Sequence, residues 1–363
     1  MNRGLNPAEL DYRYNLTTPK EDLLSKLRLQ AEVLPLKTKH PFIIARGGQS
    51  DYETVWVKLI DENGLEGWGE AAPTRFYGET TQTVLAALNS YATVLPEDPF
   101  KIEDAELAWF TTLRRNPSAR AALSSALHDL VGKRLKVPVY QLWGLDPAKA
   151  PQSTFTIGID TADKIRLKVK EAAQYPILKV KLGSDRDLEI LQTIRGATDR
   201  EIRVDANCGW NVKQAIRMLP VLKEFGVTVL EQPLPPRQLD GMEQIRRHAD
   251  IPLIADEDCE TAEDIPRLVG KVDGINIKLA KCGSLREALR MIAIARAHGL
   301  MVMVGCMIES SLAITAAAHF TPLVDIVDLD GAALLASDPF AGASIDGGQV
   351  RLPTGPGLGV TPR

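Results

Sequence analysis

The sequence predicts an α/β fold, a (β/α)7β barrel of the modified TIM type joined to an α+β capping domain. Three observations predict it. Eight short β-branched runs succeed one another between residues 154 and 330, with helix-period segments between them. A hairpin signal and three amphipathic helical stretches precede them. No Gly-rich phosphate-binding turn follows any run, so the open nucleotide-binding sheets have no support.

Residues 1–30 form a polar N-terminal extension with room for a short helix over 22–29, no signal-peptide-like apolar segment, and no assigned function. The capping domain covers 31–150. Runs 54–60 and 65–70 flank Asp61-Glu-Asn-Gly64, and Asn-Gly between apolar runs is a strong hairpin signal. Residues 81–95, 102–115 and 119–135 read as amphipathic helices bordered by Pro and Gly. The barrel covers 151–335, with strands expected at 154–159, 177–182, 202–205, 227–231, 252–256, 274–279, 301–306 and 325–330. Segment 336–363 loses the alternation and is expected to leave the barrel and return to the capping domain.

Composition narrows the function. Of 363 residues, 45% are hydrophobic and 25% charged, a globular mixture. The net charge of −4 leaves no basic excess for a phosphate backbone, so no nucleic-acid partner is expected. The longest apolar stretch, 300–308, is too short for a membrane span. Cys208, Cys259, Cys282 and Cys306 form no CxxC pair or zinc spacing, and read as reduced thiols of a cytoplasmic enzyme.

Barrel active sites lie at the C-terminal strand ends. There the runs end in Lys179-Val-Lys181, Asp205, Glu231, Asp256-Glu257 and Lys278-Leu-Ala-Lys281. Asp205, Glu231, Asp256 and Lys281 follow one another at 26, 25 and 25 residues, one βα unit per step. Each acid alone could cap the next helix. Three on adjacent strands, flanked by lysines and without His or Cys, suit Mg2+ instead. Alternation turns Lys179 and Lys181 to the barrel interior, where compensating carboxylates are needed and where a nearby metal ion would make the amines titrate low. Lys168-Val-Lys170 lies in a helix-period segment and reads as surface. Strands two and six face each other across the barrel. A metal-bound carboxylate would therefore offer its α-carbon to Lys181 on one face and Lys281 on the other. One amine removes the α-proton and the other returns it, through an ene-diolate, inverting the centre.

With these residues the sequence resembles the enolase superfamily, in its muconate-lactonising subgroup, over nearly the whole chain after residue 30. The resemblance includes Pro138-Val-Tyr-Gln-Leu-Trp-Gly144. It implies that Asp205, Glu231 and Asp256 bind Mg2+, that Lys181 and Lys281 are the acid/base pair, and that Lys179 lies beside the substrate carboxylate. Asp328-Leu-Asp330 on the eighth strand resembles the dipeptide epimerases, where two acids hold the free ammonium of a dipeptide. That resemblance further implies that Thr156, Cys306 and Ile308 line the dipeptide backbone, although Gly305-Cys-Met-Ile-Glu309 has Cys where relatives have Ser. Capping loops at 42–49 and 74–79 should form the side-chain pocket. Arg46 matches an arginine that holds a glutamate side chain in relatives acting on L-Ala-D/L-Glu.

The expected partner is thus a small dipeptide, in a homo-oligomeric enzyme. Alternatives within the subgroup are o-succinylbenzoate synthesis, N-succinylamino acid racemisation and muconate cycloisomerisation, whose substrates lack the free ammonium. A Schiff-base aldolase and a non-catalytic binding barrel are more distant alternatives.

Overall fold

In a computed structural model the described residues are 27–363, with the backbone of Arg13 and Tyr14 as a short strand, β1 (Arg13–Tyr14). Most of the expected extension, including residues 22–26 of its helix, lies outside them. Arg28 and Leu29 belong instead to a long strand.

The cap is an antiparallel sheet of order β1-β2-β3-β4, with β2 (Arg28–Ile44), β3 (Gly47–Ile60) and β4 (Glu66–Ala71). The 42–49 segment is therefore the tip of a hairpin, paired down to Ile44 opposite Gly47, and no open loop. The β3–β4 turn follows its sequence signal. Asp61 Oδ1 accepts from Asn63 N and Leu65 N, both at 2.9 Å, and Gly64 takes the left-handed conformation at φ 80°. Helices α1 (Thr81–Tyr91), α2 (Ile102–Thr112) and α3 (Pro117–Leu135) cover one face of the sheet. The expectation of an amphipathic α3 is corrected: every residue from Ser118 to Gly132 is buried. Its residues are mostly small, and the polar ones among them, such as Arg120, His128 and Asp129, are buried too, because cap sheet and barrel enclose the helix. Helix α4 (Val139–Leu142) leads into the barrel.

The barrel runs β5 (Phe155–Ile157), α5 (Ala162–Glu171), β6 (Ile177–Lys181), α6 (Asp187–Arg195), β7 (Glu201–Asp205), α7 (Val212–Glu224), β8 (Val227–Glu231), α8 (Leu239–His248), β9 (Leu253–Ala255), α9 (Ile265–Leu268), β10 (Gly274–Ile277), α10 (Leu279–Cys282), α11 (Leu285–Ala297), β11 (Met301–Gly305), α12 (Ser311–Ala318) and β12 (Ile326–Asp328). All eight strands fall on the predicted runs, and each pairs parallel with the next. The ring closes where Thr154 N donates to Val327 O at 3.2 Å beside a Ser153–Val327 bridge. Outward residues such as Leu178, Val180, Val204 and Ile277 pack beneath the helices. Inside, Val229, Ile254, Met303 and Ile326 form a small apolar plug. Two residues further along the strands, on the same side by alternation, stand Glu231, Asp256 and Asp328. The plug thus forms the floor of a polar chamber at the C-terminal mouth.

Cap and barrel are tied together. Glu70 at the end of β4 accepts from the N-terminal amides Ser310 N (3.1 Å) and Ala313 N (3.2 Å) of α12. In the tail, Gly357 N donates to Val137 O and Val139 N to Gly357 O, both at 2.9 Å, alongside α3. Lys168 is not a surface residue as expected: it is buried and pairs with Asp160 at 3.0 Å. Among the described residues no helix is long and apolar enough to cross a membrane.

Candidate active site

Asp205, Glu231 and Asp256 end β7, β8 and the β9 run, and their ligand oxygens lie within 4.8 Å of one another. All three are buried. This all-oxygen set suits a hard divalent cation. Its geometry is fixed locally. Asn207 N and Nδ2 donate to the two Asp205 oxygens at 2.8 and 3.1 Å, in a turn whose Asn207 and Cys208 are both left-handed. Asn276 Nδ2 donates to Glu231 Oε1 at 2.8 Å. Gln232 Oε1 accepts from Asp256 N at 2.9 Å, linking the ends of β8 and β9.

Four buried lysines surround the triad. Lys179 Nζ pairs with Asp328 (2.6 Å), Glu231 (2.7 Å) and Asp205 (3.4 Å). Lys181 Nζ lies 2.6 Å from Asp205 Oδ2, with the ring of Phe42 from the cap hairpin 5.9 Å away. At the opposite end of the triad, Lys278 Nζ lies 2.7 Å from Asp256 Oδ2 and Lys281 Nζ 2.6 Å from Asp256 Oδ1. These two differ. Lys278 retains slight side-chain exposure, whereas Lys281 has none. Lys281 Nζ also donates to the carbonyls of Asp256, Cys259 and Asn276 at 2.5, 2.9 and 3.0 Å. All its protons are engaged by the protein, so it offers nothing to a ligand. The structure thus holds Lys281, the expected acid/base, against the protein, whereas Lys278 shares the inward parity of Asn276. The even spacing of 25 residues pointed to Lys281, whereas strand parity would have selected Lys278.

The charges shift one another. Burial raises Asp205, but Lys181 and Lys179 outweigh it and hold the carboxyl below its usual range. Burial likewise opposes Asp256, which Lys278 and Lys281 nevertheless hold well down. Glu231 goes up through burial and the adjacent Asp205. Burial pulls Lys179 and Lys278 down, yet the acids facing them win and keep both amines above the ordinary lysine range. That is opposite to the low titration expected of Lys179. The protein's own charges set this direction, and a divalent cation at the triad would oppose it.

The Asp328 and Asp330 carboxyls are both buried. Asp328 accepts from Thr154 Oγ1 as well as from Lys179. Asp330 accepts from Thr156 N at 2.5 Å and has no ion pair among the described residues. Burial and Asp328 push Asp330 up. Cys306 adjoins the Asp330–Gly331 turn, since a Cβ on Gly331 would lie 3.2 Å from its sulfur. Ile308 packs with Leu36 and Leu335 beneath the cap hairpin. That hairpin docks on the mouth through Ile159 N to Ile43 O at 2.9 Å. It places Arg46 Nη1 2.8 Å from both Asn207 O and Glu257 Oε1, with the guanidinium 4.2 Å above the ring of Phe76. Arg46 Nε and Nη2 have no protein partner among the described residues. Glu257, Asn276 and Gln232 had been missed as site residues. The Asp-Glu and Glu-Gln-Pro adjacencies were visible, but contacts between strands are not written in a single chain.

A closed parallel barrel with an acid triad between opposed buried lysines, under an α+β cap, defines a barrel enzyme with a candidate divalent-metal site. Residues 28–144 match the mandelate racemase / muconate lactonizing enzyme N-terminal domain, and residues 161–363 the enolase C-terminal domain-like family. The chain belongs to this mandelate racemase / muconate lactonizing enzyme family. It is 44% identical over 338 residues to the L-Ala-D/L-Glu epimerase of Bacteroides thetaiotaomicron, covering 92% of this chain and 88% of that protein. The dipeptide epimerase of Enterococcus faecalis V583, solved with Mg and L-Leu-L-Tyr, superposes with a TM-score of 0.87 at 32% identity, covering 93% and 99% of the two chains. The substrate-liganded L-Ala-D/L-Glu epimerase of Bacillus subtilis gives 0.89 at 29% identity, covering 93% and 99%.

Proposed function

We propose that this chain is a Mg2+-dependent dipeptide epimerase inverting the α-carbon of the C-terminal residue, with dipeptides of the L-Ala-D/L-Glu kind as preferred substrates. The observation that carries the reading is the pair Lys181 and Lys278, set at opposite ends of the acid triad on strands that face each other across the barrel.

Asp205, Glu231 and Asp256 hold the Mg2+, which when bound offsets the negative charge that builds on the substrate carboxylate. The neutral amine of one lysine takes the α-proton as the C–H bond breaks. The ammonium opposite donates a proton to the other face of the same carbon. One lysine ends a proton richer and the other a proton poorer, and solvent exchange resets them. Asp330, a buried carboxyl without a cationic partner among the described residues, supports a free α-ammonium beside it, with Asp328 contributing. N-Succinyl substrates would leave that acid uncompensated. Arg46 turns its free Nε–Nη2 edge to an acidic side chain, a geometry suited to two parallel hydrogen bonds. The four free cysteines are in keeping with a cytoplasmic enzyme, and a symmetric homo-oligomer is the common assembly of such proteins.

The test is incubation of L-Ala-L-Glu and L-Ala-D-Glu with enzyme and Mg2+ in D2O. Each should gain one deuteron at the glutamate α-carbon and convert to the other epimer, and chelation should stop both. Exchange with N-succinylamino acids but with no free dipeptide would overturn the reading.

A further inference from the structure

The proton-transfer chemistry leaves Lys281 unused, although it is the most completely enclosed amine of the site. Its chain position explains the burial. Helix α10 is a single turn that starts after Lys278, and Lys281 N donates to Lys278 O at 2.9 Å. Gly283 ends that turn in the left-handed conformation at φ 88°. The turn directs the Lys281 side chain back under the strand ends, away from the mouth. There it meets acceptors from three segments: the Asp256 carboxylate and carbonyl after β9, the Cys259 carbonyl in the following loop, and the Asn276 carbonyl in β10. The same Asn276 donates through Nδ2 to Glu231 at 2.8 Å. One ammonium thus reaches two triad carboxylates, Asp256 directly and Glu231 through Asn276.

We infer that Lys281 is a positioning residue, a buried brace whose hydrogen bonds preset Asp256 and Glu231 for the divalent cation. The inference rests on the metal reading above. A neutral side chain in its place removes the donor that three converging backbone carbonyls share and leaves Lys278 as the one ammonium on Asp256, so that the carboxylate is held less firmly. Groups that orient metal ligands in this manner set metal affinity more than they set the reaction's stereochemistry.

The test compares Lys281→Met with Lys278→Met in the full chain. Mg2+ binding is titrated calorimetrically without substrate, and α-proton exchange in D2O is followed from each epimer. For Lys281→Met, Mg2+ affinity should fall about tenfold to a hundredfold. Exchange from both epimers should fall by one common factor and recover at high Mg2+. For Lys278→Met, exchange from one epimer alone should be lost, whatever the Mg2+ concentration. Unchanged Mg2+ affinity in Lys281→Met, with exchange lost from a single epimer, would overturn the brace and make Lys281 a base. If Lys281→Met does not fold, Asn276→Ala cuts only the link to Glu231. Weaker Mg2+ binding with both exchange rates reduced together then supports the brace, and unaltered binding overturns it. Failure of the wild-type chain to bind Mg2+ at all would instead defeat the metal reading itself.

Discussion

On the proposed reading, Arg46 divides its donors between fold and substrate. Its Nη1 is committed to Glu257 and Asn207, and its face to Phe76, so the guanidinium is already oriented before a ligand arrives. The remaining edge is pre-organised for a carboxylate, and hydrogen bonds to charged groups are worth about 1.5–3 kcal/mol each. Arg46→Ala should therefore lower kcat/KM for L-Ala-L-Glu by about one to two orders of magnitude while changing L-Ala-L-Ala little. Equal losses on both substrates would remove Arg46 from specificity. The identities of Asp205, Glu231, Asp256, Lys181 and Asp328 as inward residues were legible because strand ends and alternation are local. Lys278 was not chosen, since periodic spacing competed with parity, and only the three carbonyls around Lys281 decide between them.

Among the elements, α3 shows what pattern reading misses. Its mixture of Ala, Ser and Leu was read as amphipathic, yet both of its sides are covered. The sequence clue lay in its partner, β4, where Gly67 and Gly69 share one face of Glu-Gly-Trp-Gly-Glu. A Cβ at Gly69 would collide with the Ala122 carbonyl, and one at Gly67 with that of Ala126. The glycines bring the helix backbone directly against the strand. Gly69→Ala should accordingly cost about 1–3 kcal/mol, the usual penalty of overpacking. A urea midpoint unchanged from wild type would mean that α3 can retreat freely. The eight barrel strands needed no such tertiary information, because each is short and apolar and each of the first seven is followed by a helix. The 42–49 hairpin tip was harder to see, since Gly47-Gly48 also reads as an open loop.

At the scale of the whole molecule, buried titratable groups far from the triad set how stability responds to pH, and two classes act in opposite senses. His319 sits where the C-terminal tail meets α4. Its Nδ1 accepts from Tyr140 N at 3.1 Å, so the ring proton is on Nε2, which donates to Leu358 O at 3.2 Å. Charging the ring would require a proton on the nitrogen already used as an acceptor. Burial accordingly brings His319 down to about 4 from 6.5. Between those values the unfolded chain binds the extra proton, and stability is lost as pH falls, by about 1.4 kcal/mol per pH unit for a full proton. Glu106 is the reverse case. Half-buried between cap and barrel, with Ser124 Oγ donating to it at 2.5 Å, it is pushed by desolvation up to about 7 from 4.5. Here the folded state holds the proton longer, so stability is lost as pH rises through that window. Two isosteric variants should separate the terms in urea titrations at constant Mg2+ from pH 4.5 to 8. Glu106→Gln, which keeps an acceptor for Ser124, should gain on wild type as pH rises. His319→Gln should lose on wild type near neutrality and recover ground as pH falls towards 4.5. Parallel curves for all three proteins would mean that neither buried group changes its proton on unfolding, and that burial at the cap–barrel seam does not control the pH response.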